Sequence, residues 1–196
     1  MKKVFIIGLG IGSASYMHKR AEEAIISCDC LIGAKRMLSG FMDLNKEIYE
    51  SSKVEGICEY IGESSFQSYG VLVSGDSGFY SLSKKVTERL KENKEIQIEN
   101  IPAISSLQYF TSKLNLPWDD IKYVSAHGRI PNIISNVIFN KKTFILTGGE
   151  LEPGHICEML THKGLGHLRV SVGERLSYEE ERIIEDTASE IAKMKF

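Results

Sequence analysis

Five short segments of this 196-residue chain carry residue types suited to chemistry, and each follows an apolar run. The first, Gly8-Leu9-Gly10-Ile11-Gly12-Ser13, has closely spaced glycines, which permit a tight turn and close approach of backbone to a ligand. The second, Ser74-Gly75-Asp76-Ser77-Gly78-Phe79-Tyr80, offers the Asp76 carboxylate. It can accept hydrogen bonds from a ligand's amine or hydroxyls, or Asp76 or Ser77 can instead cap the helix that runs to Leu90. The third, Ile101-Pro102-Ala103-Ile104-Ser105-Ser106-Leu107, sets two adjacent hydroxyls at a helix start, where they can cap it or hold a ligand. The fourth, Ser125-Ala126-His127-Gly128-Arg129, puts an imidazole and a guanidinium beside a glycine. A guanidinium fork suits carboxylates, although a solvated surface pair has the same sequence. The fifth, Leu146-Thr147-Gly148-Gly149-Glu150, is another glycine turn.

Several familiar chemistries fail on spacing. In a dinucleotide fingerprint the third glycine would fall on Ser13, and Gly33-Ala34-Lys35-Arg36 lacks the acid that grips a ribose. Lys35 and Arg36 have the charge for a phosphate, but equally for a solvated helix start. Gly149 and Gly154 have P-loop spacing, yet His155-Ile156 stands where Lys-Ser/Thr is needed. His155, Cys157, His162 and His167 lie close together without an HxxxH or CxxC pair, so no metal site is expected; Gly164 is expected to end the helix that carries His162 near its C-terminus. There is no GxSxG elbow for a serine hydrolase.

The elements that position these segments are legible in outline. Apolar, β-prone runs recur at 4–7, 30–32, 47–49, 71–74, 96–99, 123–125, 143–147 and 168–173. Several are continuous enough to be buried on both faces, which predicts a parallel sheet. Between them, Ala21, Ala24 and Ile25, then Val54, Ile57, Cys58 and Ile61, then Leu82, Val86 and Leu90 keep helical spacing. The pattern predicts an α/β architecture with the five segments at strand ends. Turn chemistry in Asn115-Leu116-Pro117-Trp118-Asp119-Asp120 predicts two α/β domains, 1–114 and 115–196. The second closes on a charged segment, Tyr178-Glu179-Glu180-Glu181-Arg182, and a helix-prone stretch at 189–195.

Composition bounds the partners. Hydrophobic residues make up 42% and charged residues 26%, ordinary values for a globular chain. A net charge of −2 supplies no broad basic field, so nucleic acid is not an expected partner. The run Val4-Phe5-Ile6-Ile7 ends at Gly8, too early for a signal peptide, and nothing approaches membrane-spanning length. No membrane partner and a cytoplasmic location are expected. Cys28, Cys30, Cys58 and Cys157, irregularly spaced, read as reduced thiols.

Taken in order, these turns resemble the tetrapyrrole methylase family, the class III methyltransferases that use S-adenosyl-L-methionine, over essentially the whole chain. The family's opening strand and GxGxG turn are seen at 4–12, its GDP loop at Gly75-Asp76-Ser77, and its PGxSS turn at Pro102-Ala103-Ile104-Ser105-Ser106. Within the family, the combination of Ile32-Gly33-Ala34-Lys35-Arg36-Met37-Leu38, Ser74-Gly75-Asp76-Ser77-Gly78-Phe79-Tyr80, Leu116-Pro117-Trp118, Ser125-Ala126-His127-Gly128-Arg129 and Leu146-Thr147-Gly148 looks like the cobalt-precorrin-7 C5-methyltransferase branch. The resemblance implies a homodimer of two-domain chains with the donor in the cleft between the domains. It places Ile11, Gly75, Asp76, Phe79, Ser105, Ser106, Leu146 and Thr147 at the donor, which leaves as S-adenosyl-L-homocysteine. The N-terminal glycine turn, with Gly10, falls on the tetrapyrrole's side. Three departures stand out: Ser77 replaces a proline, Ala103 replaces a glycine, and the chain stops at Phe196 where relatives usually add a strand.

An activated methyl donor and an electron-rich bridge carbon need alignment rather than a dedicated nucleophile, so no catalytic triad is expected. Arg129, with Lys35 or Arg36, is expected to pair with the macrocycle's carboxylates, and His127 is the candidate proton shuttle. Methylation at C15 with decarboxylation would fall to a separate partner protein. Three other readings share these features: another carbon of the macrocycle, a protein acceptor as in diphthine synthase, and a non-catalytic binder of a nucleotide-like ligand.

Overall fold

A computed structural model describes residues 1–127, 131–149 and 151–196. The chain divides into two compact units, Met1–Ser106 and Leu107–Phe196.

In the first unit, β1 (Lys2–Gly8), β2 (Cys30–Gly33), β3 (Glu47–Glu50), β4 (Ser68–Val73) and β5 (Ile96–Ile101) form one sheet in the order β3-β2-β4-β1-β5. Every pairing is parallel. Alternation along β1 explains its continuous apolar run: Phe5 and Ile7 pack on one face with Ala21, Ala24 and Ile25 of α1 (Lys19–Ser27) and Leu38 of α2 (Lys35–Leu38). Val4 and Ile6 pack on the other with Ile57, Cys58 and Ile61 of α3 (Val54–Glu63) and Val86 and Leu90 of α4 (Ser83–Leu90).

The chain therefore leaves β1 toward the α1 face and leaves its neighbour β4 toward the α4 face. That reversal is a topological switch point, where open α/β sheets bind ligands at the carboxyl ends of their strands.

The second unit holds most of α5 (Ser106–Lys113), then β6 (Lys122–Ser125), α6 (Ile133–Phe139), β7 (Thr143–Leu146), α7 (Pro153–His162), β8 (Arg169–Glu174), β9 (Arg182–Thr187) and α8 (Ala188–Ile191). β6 and β7 are parallel, with Ser125 opposite Leu146; β8 and β9 are antiparallel. The core joins Ile133 of α6, Ile156, Cys157 and Leu160 of α7, Val172 of β8, and Ala188 and Ile191 of α8. Gly164 ends α7 as the sequence predicts. With φ at +76° it donates to Thr161 O, and Leu165 donates to Leu160 O, the paired bonds of a Schellman cap.

The structure differs from the sequence expectations in three places. The division falls at Ser106/Leu107 rather than 114/115, because α5 packs into the second unit. Its Phe110 lies against Gly173, where a Cβ would come within 2.7 Å of the ring, and makes an edge contact with Phe144. The segment after Arg182 is strand β9, paired along its length with β8. Finally, α4 begins at Ser83, so neither Asp76 nor Ser77 caps it. No helix among the described residues is long and apolar enough to cross a membrane.

Candidate functional site

Register brings the first three sequence segments together. Gly8 of β1 lies beside Val73 of β4, and Ile7 beside Ile101 of β5, so all three loops leave the same edge of the sheet from adjacent strands. The first two are tied by a reciprocal pair: Gly10 N donates to Gly75 O at 3.1 Å, and Gly75 N donates to Gly10 O at 2.9 Å. Both glycines have positive φ, +75° and +67°. That left-handed backbone, awkward for any residue with a Cβ, lets the loops face each other.

Asp76 binds the second loop to the third. Its Oδ1 accepts from Gly78 N at 2.8 Å, closing a local turn, and its Oδ2 accepts from Ala103 N at 2.8 Å. The Ala103 substitution is accommodated without strain, since Ala103 is not among the residues with positive φ. Ser105 is buried immediately before α5, and Ser106 is its first residue. Phe79 makes an edge contact with Tyr80, whose own φ of +48° marks a sharply turned backbone. A Cβ built on Gly75 would meet nothing within 4 Å, so open space lies over this peptide beside Asp76.

His18 is tied to the third loop, a link that sequence reasoning missed. It precedes α1, and its Nε2 donates to Pro102 O at 2.6 Å. Eighty-four residues separate the partners, and no local pattern marks the pairing. Lys35 and Arg36 stand exposed in the first turn of α2, at the carboxyl end of β2 and so on the same edge of the sheet.

In the second unit the carboxyl ends of β6 and β7 emerge side by side, with Ala126 N donating to Leu146 O at 2.8 Å. His127 follows directly, and its ring lies against Gly148: a Cβ there would be 2.1 Å from Nδ1. His127, Leu146 and Thr147 are thus neighbours at one strand edge. Arg129 lies outside the described residues. A largely apolar cavity of about 320 Å³, reaching from Phe110 and Phe144 to Leu160 and Val170, contains none of these candidates. Among the described residues, no three histidine, cysteine or acidic side chains are grouped as metal ligands would be.

Comparison with known proteins identifies the family. The profile described as Tetrapyrrole (Corrin/Porphyrin) Methylases matches residues 3–192. The cobalt-precorrin-7 C(5)-methyltransferase of Salmonella typhimurium is 28% identical over 179 residues, covering 91% of this chain and 87% of that protein. A probable cobalt-precorrin-7 C(5)-methyltransferase of Methanocaldococcus jannaschii is 29% identical over 98% of this chain and 93% of its own length. Among solved structures, a Thermus thermophilus uroporphyrin-III C-methyltransferase complexed with S-adenosyl homocysteine superposes with a TM-score of 0.77 at 17% identity, covering 97% of this chain and 86% of that one. With a profile spanning nearly its whole length and strand-end loops gathered at the switch point of a parallel sheet, the chain belongs to the tetrapyrrole methylase family and is a methyltransferase.

Proposed function

We propose that this enzyme transfers a methyl group from S-adenosyl-L-methionine to C5 of cobalt-precorrin-7, in cobalamin biosynthesis. The observation that carries the reading is similarity over almost the full length of two proteins named for that reaction. It works as a cytoplasmic homodimer, and a separate protein carries out methylation and decarboxylation at C15.

The residues present fit the donor. Gly75 leaves an open cradle where any side chain would intrude, Asp76 supplies a carboxylate beside it for a cationic ligand, and Ser105, Ser106 and Thr147 carry hydroxyls suited to polar groups of an adenosyl moiety. Ile11, Phe79 and Leu146 add apolar surface for its rings and methylene chain. When bound, S-adenosyl-L-methionine supplies an activated methyl on a sulfonium and leaves as S-adenosyl-L-homocysteine. The chain's contribution would be alignment: orienting an acceptor carbon toward the activated methyl can lower the barrier by roughly 7–11 kcal/mol through proximity and orientation alone. Gly10, Lys35, Arg36, His127 and Arg129 form the tetrapyrrole side, the cations pairing with peripheral carboxylates and selecting which carbon faces the donor. We assign to His127 the transfer of a proton to or from the acceptor.

The test is anaerobic incubation with methyl-labelled S-adenosyl-L-methionine and cobalt-precorrin-7, followed by mass spectrometry and NMR. Label on C5 is the expected outcome. Tight donor binding without label on that carbon would refute the acceptor assignment.

A further inference from the structure

We propose that His18 is a positioning residue of the donor site, acting through a single peptide group. Pro102 O and Ala103 N belong to the same peptide unit. His18 Nε2–H donates to its oxygen at 2.6 Å, while Asp76 Oδ2 accepts from its nitrogen at 2.8 Å. The unit is therefore held at both polar ends by two side chains from different parts of the sequence. A peptide plane gripped on one side can still rotate about its Cα–Cα axis; gripped on both, it cannot rotate without breaking two hydrogen bonds.

The consequence reaches the hydroxyls. Two and three residues beyond the clamped unit lie Ser105 and Ser106. Fixing the Pro102–Ala103 plane sets where the chain points as it leaves β5, and so where those hydroxyls and the start of α5 stand. Pro102 contributes by its ring-locked φ, and Ala103 by lacking the conformational freedom of a glycine. His18 is half-buried and makes no side-chain bond to the start of α1, so its replacement leaves that helix without a lost cap. The assignment of Ser105 and Ser106 to the donor rests on the function proposed above, whereas the clamp does not.

Two measurements separate these. The first is amide hydrogen exchange at Ala103 in the full chain without ligand, comparing the parent with His18→Leu and His18→Gln. The clamp predicts faster exchange at Ala103 in His18→Leu and recovery in His18→Gln, whose amide restores a donor. Unchanged exchange in His18→Leu would overturn the clamp whatever the protein binds. The second is calorimetric titration with S-adenosyl-L-methionine and steady-state kinetics on the same proteins. Expected for His18→Leu is a donor affinity weaker by about three- to tenfold, the span of one net hydrogen bond. The donor KM rises, the acceptor KM is unchanged, and His18→Gln recovers most of the loss. Faster exchange at Ala103 with unchanged donor affinity would overturn the positioning role. A parent protein that fails to bind the donor at all would refute the proposed function and also remove the positioning role, leaving the clamp to be decided by exchange alone.

Discussion

Gly8 lies against both the second and the third loop, and adding one methyl there should push them away. A Cβ on Gly8 would lie 2.8 Å from Gly75 O, 2.9 Å from Ala103 Cβ and 3.2 Å from Ser77 N. Two of these atoms are backbone and the third is a Cβ, so no side-chain rotation relieves the contacts. Restoring the Gly75 O distance to the 3.4 Å of ordinary contact requires a movement of about 0.6 Å (3.4 − 2.8). The same oxygen accepts from Gly10 N at 3.1 Å, so a shift of that size away from Gly8 strains the bond that ties the first loop to the second. Overpacking of this kind costs about 1–3 kcal/mol, and loss of one net hydrogen bond adds about 1 kcal/mol. We therefore expect Gly8→Ala to destabilise by about 2–4 kcal/mol, lowering Tm by about 4–16 °C, and to weaken binding of S-adenosyl-L-methionine. Chemical denaturation and calorimetric titration read both effects. Adding Ala103→Gly removes the 2.9 Å contact but leaves the 2.8 Å one, so the double variant should recover part of the loss and not all of it. A Gly8→Ala protein within about 0.5 kcal/mol of the parent, with unchanged donor affinity, would refute the reasoning.

Three further predictions concern other contacts. Lys2 Nζ donates to Ile61 O, Gly62 O and Ser64 O at 2.6, 2.9 and 2.7 Å, placing a cation on the last carbonyls of α3, so Lys2→Met should cost about 1–2 kcal/mol in urea unfolding. Glu181 is held down to about 2 by the Tyr109 hydroxyl, then by Ser177 N–H, with Lys113 adding to both. Because its folded pKa is depressed, its contribution is present in full above the ordinary value of 4.5 and is lost as pH falls toward about 2. Glu181→Gln should therefore flatten the acid limb of the stability profile in that window; an unchanged limb would remove Glu181 as its source. Gly148→Ala should expel the His127 ring, whose Nδ1 would lie 2.1 Å from the new methyl. If His127 serves the acceptor from that position, turnover by Gly148→Ala and His127→Ala should fall alike and the double variant no further, whereas additive losses would separate the two residues.

Local patterning determined a large share of this protein on its own. The continuous apolar run at 4–7, the helical spacing of Ala21, Ala24 and Ile25, and the glycine-marked turns after apolar runs are short-range features, and the first unit forms its strands and helices from them. The site segments were legible for the same reason: a turn that must approach another backbone needs glycine, wherever its partner lies. Strand β9 was not legible, because 182–187 contains only Ile183 and Ile184 as apolar residues and becomes a strand by pairing with β8. The unit boundary was hidden likewise, since Asn115-Leu116-Pro117 is a strong local turn while the packing of Phe110 against Gly173 and Phe144 is not written near α5.

What only the tertiary structure decided is which loops meet. The order β3-β2-β4-β1-β5 puts β1 between β4 and β5, and from that order alone the first, second and third loops become neighbours. The sequence offers Asp76 as a ligand-binding or capping carboxylate but not as a tie between loops; across 27 residues its second oxygen accepts from Ala103 N, and across 84 residues His18 finds Pro102 O. The physical reason is range: propensity and periodicity act over a few residues, whereas a backbone group left unpaired at a strand end takes whatever partner the sheet order brings to it.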